Sequence, residues 1–315
     1  MSALTADARI RSLRGPRQTL DPYTANGFLI EEERRPGGNV ERALTVFLVG
    51  AECPFTCSFC DLWRTTIDGP TPQGALTRQL EAVLQSVEAP LPERLKLYNA
   101  SNFFDVRAVP AEDLDCIASL ASAFGAVTVE SHANTIGEKT LAFSRKLRGR
   151  LEVAIGLETI HPVARERLNK KLDLERFCRA AHLLSANEID KRVFVLLGAP
   201  YVPRGEAVDW TVRTVEYAVE QGAAVVSVIP VRSGNGEMER LQSLGDFFPP
   251  TMSDIEETLD RCRSLSPAVV TADLWDVHRF SSCDSCGPAR VERLKRINLT
   301  ADAVPRVACS ACGGA

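Results

Sequence analysis

LEVAIGLET (residues 151–159), DLERFCRAAHLLSAN (173–187) and KRVFVLLGAP (191–200) follow one another as an apolar run, an amphipathic stretch and a second apolar run. Both apolar runs are short, rich in Val, Ile and Leu, and continuous rather than alternating. That pattern is typical of parallel strands buried on both faces, and the stretch between them has helical periodicity. The three segments therefore predict a β-α-β unit with a right-handed crossover.

The same unit recurs in both directions along the chain. Five further apolar runs, separated by helix-patterned stretches, occupy residues 43–50, 94–101, 126–132, 223–231 and 268–275. In the helix before the last run, Ser253 and Glu256 match a capping box. Six or seven such units fit a barrel better than a single Rossmann half, so we predict an α/β fold with a partial (β/α)6-type barrel.

The composition is that of an ordinary soluble globular protein. The 315 residues are 45% hydrophobic and 25% charged, with a net charge of -4. This charge excludes wholesale electrostatic capture by nucleic acid but leaves local basic patches possible. No apolar run has the length of a membrane span, and the first 20 residues lack the apolar core of a secretory signal. We expect a cytoplasmic protein with no membrane partner.

Three of the ten cysteines lie in GAECPFTCSFCDLW (50–63), directly after the first predicted strand. Cys53, Cys57 and Cys60 have the spacing C-x3-C-x2-C. A 4Fe-4S cluster needs four ligands, so three thiolates leave one iron open. A zinc site with a fourth ligand elsewhere is the alternative, although zinc sites more often use two C-x2-C pairs.

Four more cysteines form two C-x2-C pairs near the end of the chain: Cys283, Cys286, Cys309 and Cys312. Four thiolates suit either tetrahedral zinc or a fully ligated second iron–sulfur cluster, and the spacing does not decide between them. The remaining three, Cys116, Cys178 and Cys262, fall in predicted helices, where we expect small buried side chains.

These features divide the chain into three parts. Residues 1–40 are predicted to form an N-terminal arm, residues 41–275 the core barrel, and residues 276–315 a small metal-binding appendage. The arm and the appendage each carry a group of basic residues: Arg9, Arg11, Arg14 and Arg17 in the arm, and Arg290, Arg293, Lys295 and Arg296 in the appendage. Either group could be a contact surface or simply solvated charge.

The cysteine loop, with aromatic Phe59 just before its third cysteine, resembles the signature of the radical S-adenosylmethionine (SAM) enzymes. Further runs extend the resemblance to about three quarters of the chain. Within that superfamily the pattern is similar to the methylthiotransferase/elongator-like branch, and most similar to the family of the archaeosine synthase β subunit. The runs are KLYNASNFFD (96–105), VTVESHANTI (127–136), VAIGLETIHPVARERLNKKLDLERF (153–177) and VFVLLGAP (193–200).

The resemblance implies that SAM binds the open iron, with Phe59 near its adenine. The family usually holds the SAM amino group on a Gly-Gly-Glu-like turn after the second strand. This chain has YNASN (98–102) there, so backbone carbonyls or the side chains of Asn99 and Ser101 would make the contact. Glu130, at the end of the third predicted strand, would accept the SAM ammonium.

Other residues fall at predicted strand ends, where the active sites of barrels are built. Glu158 has the same logic as Glu130, and Gly198 and Pro230 end later strands. His132, Asn102 and Asp105 are candidate contacts in the barrel mouth. A lone histidine is more often a hydrogen-bonded structural residue than a catalyst, so both interpretations stay open for His132.

The implied chemistry is reductive cleavage of SAM to a 5′-deoxyadenosyl radical, with electrons from a separate donor. The favoured substrate is tRNA or another nucleic acid, because of the resemblance and the two basic groups. One alternative is an enzyme for a small molecule or peptide, with an auxiliary cluster on the C-terminal cysteines. Another is a non-catalytic adaptor whose cysteines are all structural.

Overall fold

A computed structural model describes residues 5–312 and contains one curled, eight-stranded sheet. The strands lie side by side in chain order. The first pairs antiparallel with the second, and each later pair is parallel. Their bounds are β1 Gly27–Arg34, β2 Val40–Phe47, β3 Arg94–Tyr98, β4 Ala126–Glu130, β5 Arg150–Glu158, β6 Asp190–Leu197, β7 Val225–Pro230 and β8 Val269–Ala272. The predicted α/β partial barrel is confirmed.

Most of the helices lie in the connections between parallel strands and form a layer on the sheet, whereas the first helix precedes β1 and the last follows β8. Their bounds are α1 Ala6–Ser12, α2 Ala75–Ser86, α3 Ala111–Leu120, α4 Glu138–Lys146, α5 Pro162–Arg167, α6 Leu174–Ala186, α7 Ala207–Glu220, α8 Glu237–Ser243, α9 Met252–Cys262 and α10 Gly287–Thr300. The main core lies between the sheet and this layer, where Leu97, Phe143 and Phe177 are fully buried. In the part of the chain that the structure describes, no helix combines the length and apolar character that crossing a membrane requires.

Strand β1 lies within residues 1–40, the predicted N-terminal arm. Its side chains Glu31 and Glu33 point into the barrel, where both accept hydrogen bonds from Lys96, at 2.6 and 2.7 Å. Because the inward face of this strand carries carboxylates, its sequence lacks the apolar pattern of the other strands. The second half of the predicted arm is therefore an edge of the sheet.

Buried charges fill the amino end of the barrel. Glu152 is fully buried and pairs with Arg35 and Arg192, the latter at 3.0 Å. Burial alone would raise the pKa of Glu152, but the guanidinium groups outweigh it and hold that pKa far below its usual range. Arg192 also pairs with Glu33 at 2.7 Å. These charges therefore lie at the end of the barrel opposite the cysteine loop, which follows the carboxyl end of β2.

Two smaller predictions were wrong. The capping box of α9 uses Thr251 and Asp254 rather than Ser253 and Glu256, so the helix begins two residues earlier than that pair requires. Cys116 is exposed on α3 rather than buried. Cys262 is buried, as predicted, and Cys178 is partly buried with its sulfur 2.8 Å from the hydroxyl of Tyr217.

Candidate functional site

The loop after β2 carries Cys53, Cys57 and Cys60 and is braced by distant parts of the chain. The backbone N–H of Ser58 donates to the carbonyl of Leu168 at 2.9 Å. The side chain of Asn169 donates to the carbonyl of Thr56 at 2.8 Å. From the other side, Asn235 donates to the carbonyls of Ser58 and Cys60, at 2.8 and 3.2 Å. The three thiols therefore lie on a fixed loop at the carboxyl edge of the sheet.

The environment of these thiols disfavours bare thiolates. Burial raises the pKa of Cys57 to about 12 and also raises the pKa values of Cys53 and Cys60. The positive charge of Lys170 opposes this shift at Cys53 and Cys57. A metal supplies the further positive charge that ligating thiolates need. The donor set fits an iron–sulfur cluster.

Asn102 links the cysteine loop to the end of β4. Its Nδ2 donates to the sulfur of Cys53 at 3.4 Å, and its Oδ1 accepts from the backbone N–H of His132 at 2.8 Å. The ring of His132 stacks on Phe55 with centroids 4.1 Å apart. Its Nε2 lies 3.0 Å from the carbonyl of Lys170. Burial lowers the pKa of His132 to about 3, so the ring is a neutral structural link.

The turn after β3 contains polar atoms with no partner. Asn99 is fully buried, and neither its Nδ2 nor its Oδ1 has a hydrogen bond among the described residues; the same holds for the buried Oγ of Ser101. Ala100 between them has a left-handed φ of 53°. A buried amide without partners is costly, and a polar ligand would satisfy it. This turn therefore fits the amino-acid portion of SAM.

Glu130 supports this turn from the end of β4. Its Oε1 accepts the backbone N–H groups of Asn99 and Ala100, at 3.0 and 3.1 Å. Burial raises the pKa of Glu130 to about 7, although those two hydrogen bonds lower it. A carboxylate desolvated to this extent is suited to receive a cationic group.

Glu158 forms an ion pair with Lys170, so its carboxylate is not a free acceptor. Its Oε1 accepts from Lys170 Nζ at 2.6 Å, and both side chains are nearly buried. Burial would lower the pKa of Lys170, but Glu158 and the nearby cysteines raise it above its usual value. Gly156 makes room for the pair, since a Cβ there would lie 2.0 Å from Glu158 Oε1 and 2.5 Å from Lys170 Nζ.

Of the other predicted site residues, Phe59 and Asp105 contact nearby parts of the protein, and Gly198 and Pro230 lie at strand ends. Phe59 is partly buried and packs on a small apolar cluster beside β6 and β7. Asp105 accepts the backbone N–H of Arg107 at 2.9 Å, which closes a local turn. Gly198 has a φ of 75°, and a Cβ there would lie 2.9 Å from Pro250, so the turn after β6 requires glycine. Pro230 is the last residue of β7.

Sequence reasoning missed Phe55, Lys170 and Asn235. Phe55 lies inside the cysteine motif, but its stacking on His132 depends on two segments meeting in space. Lys170 follows Asn169, which has a left-handed φ of 58°, and only that turn brings its ammonium group to Glu158. No local pattern in the sequence marks either contact.

The arm covers the outer side of the cysteine loop. Arg11, Arg14 and Arg17 all pair with Glu52, the residue before the first cysteine, Arg11 at 3.2 Å and Arg14 at 2.7 Å. Arg14 also lies over the ring of Trp63, 4.9 Å from its centroid. These arginines are therefore used in holding the arm on the loop.

In the appendage, the four C-terminal cysteines converge. Their sulfurs all lie within 4.8 Å of one another, with Cys283 to Cys309 at 3.9 Å and Cys286 to Cys312 at 3.8 Å. Among the described residues this is the only group of metal-binding side chains so close together; the sulfurs of the first three cysteines do not form such a group. The two sets thus differ in geometry as well as in number.

Two of the four basic residues predicted as a contact surface in the appendage form ion pairs with α9. Arg290 pairs with Glu256 at 2.6 Å, and Arg293 is buried and pairs with Asp260 at 2.6 Å. Lys295 and Arg296 are exposed.

Comparison with known proteins shows a similarity in sequence. The uncharacterized protein MJ0550 of Methanocaldococcus jannaschii is 27% identical over 221 residues, which cover 66% of this chain. The matched region is 60% of the length of MJ0550, so the chain accounts for less than two thirds of that protein. No family model matches the chain.

Solved structures show the fold more clearly. A radical SAM methyltransferase from Sphaerobacter thermophilus aligns with a TM-score of 0.52 at 15% identity, covering 80% of this chain and 78% of the other. The archaeal Elp3 of Methanocaldococcus infernus, with an N-terminal deletion, aligns with a TM-score of 0.51 at 15% identity, covering 75% and 60%. At this identity the likeness shows that the chain shares their fold.

Proposed function

We propose that this protein is a radical SAM enzyme. The observation that carries the proposal is a loop with three thiols and no fourth, fixed at the carboxyl edge of a partial barrel of this fold. Cys53, Cys57 and Cys60 would hold a 4Fe-4S cluster with one iron open to SAM. When bound, the cluster and SAM supply the reductive cleavage that gives methionine and a 5′-deoxyadenosyl radical.

The chain's own residues would bind and orient SAM. The amide of Asn99 and the hydroxyl of Ser101 are unpartnered donors and acceptors for its amino-acid group. Glu130 would accept the ammonium with the carboxylate oxygen that the turn leaves unused. Glu158 would act together with Lys170, because its charge is already paired. Phe59 would contact the adenine.

The first test is SAM cleavage. The cluster is reconstituted without oxygen, dithionite stands in for the electron donor, and 5′-deoxyadenosine is measured. We expect product from the wild type and from Cys309→Ala, and none above background from Cys57→Ala. Cys116→Ala is the matched control, since Cys116 is an exposed thiol in neither set. Wild-type protein with a full cluster and no product would refute the proposal.

For the substrate we propose a nucleic acid, with tRNA as the first candidate, as in the archaeosine synthase β-subunit family that the strand-end runs resemble. A second feature supports a flat substrate. Trp275 follows β8 at the carboxyl rim and is 64% exposed. Its backbone N–H donates to Asp273 at 3.0 Å, and Asp273 pairs with Arg232 at 3.0 Å. An exposed indole on a hydrogen-bonded backbone, beside a guanidinium, is suited to stack on a base.

The arm does not add support for this substrate, because Arg11, Arg14 and Arg17 are paired with Glu52 and Arg9 is paired with Glu237.

The substrate test compares Trp275→Ala with the wild type in tRNA binding and in substrate-dependent modification. Loss of one stacked base weakens binding by about 1–3 kcal/mol, which is roughly fivefold or more. SAM cleavage without substrate should not change. Unaltered tRNA binding in the variant, or none in the wild type, would remove the nucleic-acid proposal.

We place this chemistry in the cytoplasm, because free thiols and iron–sulfur ligands persist in reducing compartments. The alternative with an auxiliary cluster is not favoured, because the sulfurs of the four C-terminal cysteines are too close together for four separate irons.

A further inference from the structure

The distances between the four C-terminal sulfurs indicate whether the cysteines bind one metal ion or a cluster of several. Four thiolates around one metal at about 2.3 Å form a tetrahedron with edges of about 3.8 Å. Thiolates bound to four different irons of a cluster lie about 6 Å apart, since each binds its own corner. The observed pairs are 3.9 and 3.8 Å, and all separations are within 4.8 Å. The geometry matches one metal ion.

The second observation is what the four cysteines join. Cys283 and Cys286 precede α10, whereas Cys309 and Cys312 end a segment that turns back after it, beginning at Ala301 with a left-handed φ of 58°. Arg293 fixes the returning segment by donating to the carbonyls of Val304 and Pro305, both at 3.0 Å. A metal at the cysteines therefore closes helix and return segment into one loop.

The closed loop lies across the open side of the barrel. Helix α10 contacts both edge strands, β8 and β1. Asn298 makes a pair of hydrogen bonds with Ala272 of β8, accepting its N–H at 2.9 Å and donating to its carbonyl at 2.8 Å. Leu294 and Ile297 are buried in the main core. The helix thus protects two sheet edges that would otherwise be exposed.

We propose that Cys283, Cys286, Cys309 and Cys312 bind a single tetrahedral zinc ion, which holds α10 across the gap between β8 and β1. Zinc is favoured because four thiolates in tetrahedral geometry are its usual structural site and the site has no open position. The metal has no part in electron transfer. Its role is to keep the barrel closed at its side.

Metal analysis of the full-length protein tests the first half of the proposal. After cluster reconstitution we expect about four irons and one zinc per chain. A Cys309→Ser, Cys312→Ser double variant should lose the zinc and keep the iron, and Cys57→Ser should do the reverse. Cys116→Ser should change neither. X-ray absorption at the zinc edge of the wild type should show four sulfur neighbours.

About eight irons per chain, one iron in place of the zinc, or no metal at these cysteines would each overturn the assignment. Zinc present in protein that does not cleave SAM would contradict the proposed function and leave this inference intact. The two failures can therefore be told apart.

Hydrogen exchange tests the second half. In the double variant, amide exchange in α10 and β8 should rise at least tenfold, whereas β4 and β5, in the middle of the sheet, should keep wild-type rates. Unchanged exchange in α10 after zinc loss would show that the metal does not hold the helix. Because wild-type protein stripped with a chelator gives the same comparison, the test does not depend on the variant folding well.

Discussion

At the scale of single residues, one amide contacts both a sulfur of the cysteine loop and the backbone after β4. Asn102 donates to the sulfur of Cys53 and accepts from the backbone of His132. Hydrogen bonds to ligating sulfurs raise the reduction potential of a cluster, because they stabilise the more negative reduced state. Asn102 would thus tune the proposed cluster without binding it.

We predict that Asn102→Ala makes the reduction potential of the cluster more negative. A hydrogen bond contributes about 1 kcal/mol, which corresponds to about 40 mV for one electron. The iron content should stay the same, and redox titration followed by electron paramagnetic resonance measures the shift. Asn187→Ala is the control, since Asn187 directly follows α6 and its side chain donates to the carbonyl of Leu183 on the surface. A potential equal to that of the wild type would contradict the prediction.

Glu130 gives a prediction about pH. Burial raises its pKa from 4.5 to about 7 in the folded protein. The group therefore contributes most to stability below pH 4.5, and this contribution is lost as pH rises through 7. Ionisation makes Glu130 an acceptor for a cation, so the affinity for SAM should increase from pH 6 to pH 8.

The measurement is SAM binding to the reconstituted protein across that range. In Glu130→Gln the increase in SAM affinity should disappear. Between pH 6 and pH 8, the free energy of unfolding of this variant should fall by no more than that of the wild type. A pH profile that Glu130→Gln leaves unchanged would exclude this carboxylate as the acceptor.

Residue identities were predictable only where spacing carries the information. The two cysteine sets stand out because their members are close in sequence, and the structure brings the four C-terminal sulfurs together. Lys170 and Phe55 could not be found in this way. Lys170 contacts Glu158, and Phe55 contacts His132. Each contact joins two segments whose proximity in space the sequence does not reveal.

At the scale of elements, the parallel strands were predictable and β1 was not. Strands buried on both faces are continuous apolar runs, which sequence reveals directly. The inward face of β1 instead carries Glu31 and Glu33, whose partners Lys96 and Arg192 come from other strands. When the charged partners of a strand lie on other strands, the sequence of that strand alone resembles an exposed segment.

The same buried network yields a stability prediction. Glu152→Ala leaves Arg35 and Arg192 without their fully buried partner. Removing one member of a buried pair lowers the free energy of unfolding by about 3–5 kcal/mol, because an uncompensated charge remains. Urea unfolding of the protein measures the change.

Glu41→Ala is the matched control, because Glu41 is partly exposed and pairs with Arg94 at 3.1 Å at the edge of the network. It should cost less than half as much. Acid should weaken the network as well: the pKa of Glu33, which burial would raise, is held at about 2 by Arg192 and Lys96. The contribution of Glu33 to stability is present above pH 4.5 and is lost as pH falls toward 2.

Equal losses in the free energy of unfolding for Glu152→Ala and Glu41→Ala would show that Glu152 has no special role.

At the scale of the whole molecule, three arginines of the arm pair with one carboxylate, and further contacts such as Arg9 with Glu237 add to this attachment. Glu52 receives Arg11, Arg14 and Arg17, so we predict that Glu52→Ala releases the arm. Limited trypsin digestion should then cut the arm at least several times faster than in the wild type. Glu81→Ala is the control, since Glu81 is exposed on α2. Raised salt should imitate the variant in part, because these pairs are partly exposed. Equal cleavage rates would contradict the prediction.

The bracing of the cysteine loop also bears on how the protein is made. Cys53, Cys57 and Cys60 leave the ribosome long before Asn169 and Asn235, the side chains that fix their loop. Until more than a hundred further residues have been synthesised, the three thiols have no rigid frame and are open to oxidation. Cluster insertion in the cell should therefore follow completion of the barrel, on a nearly finished chain. Growth conditions that limit iron during synthesis should leave a folded protein that still accepts its cluster afterwards.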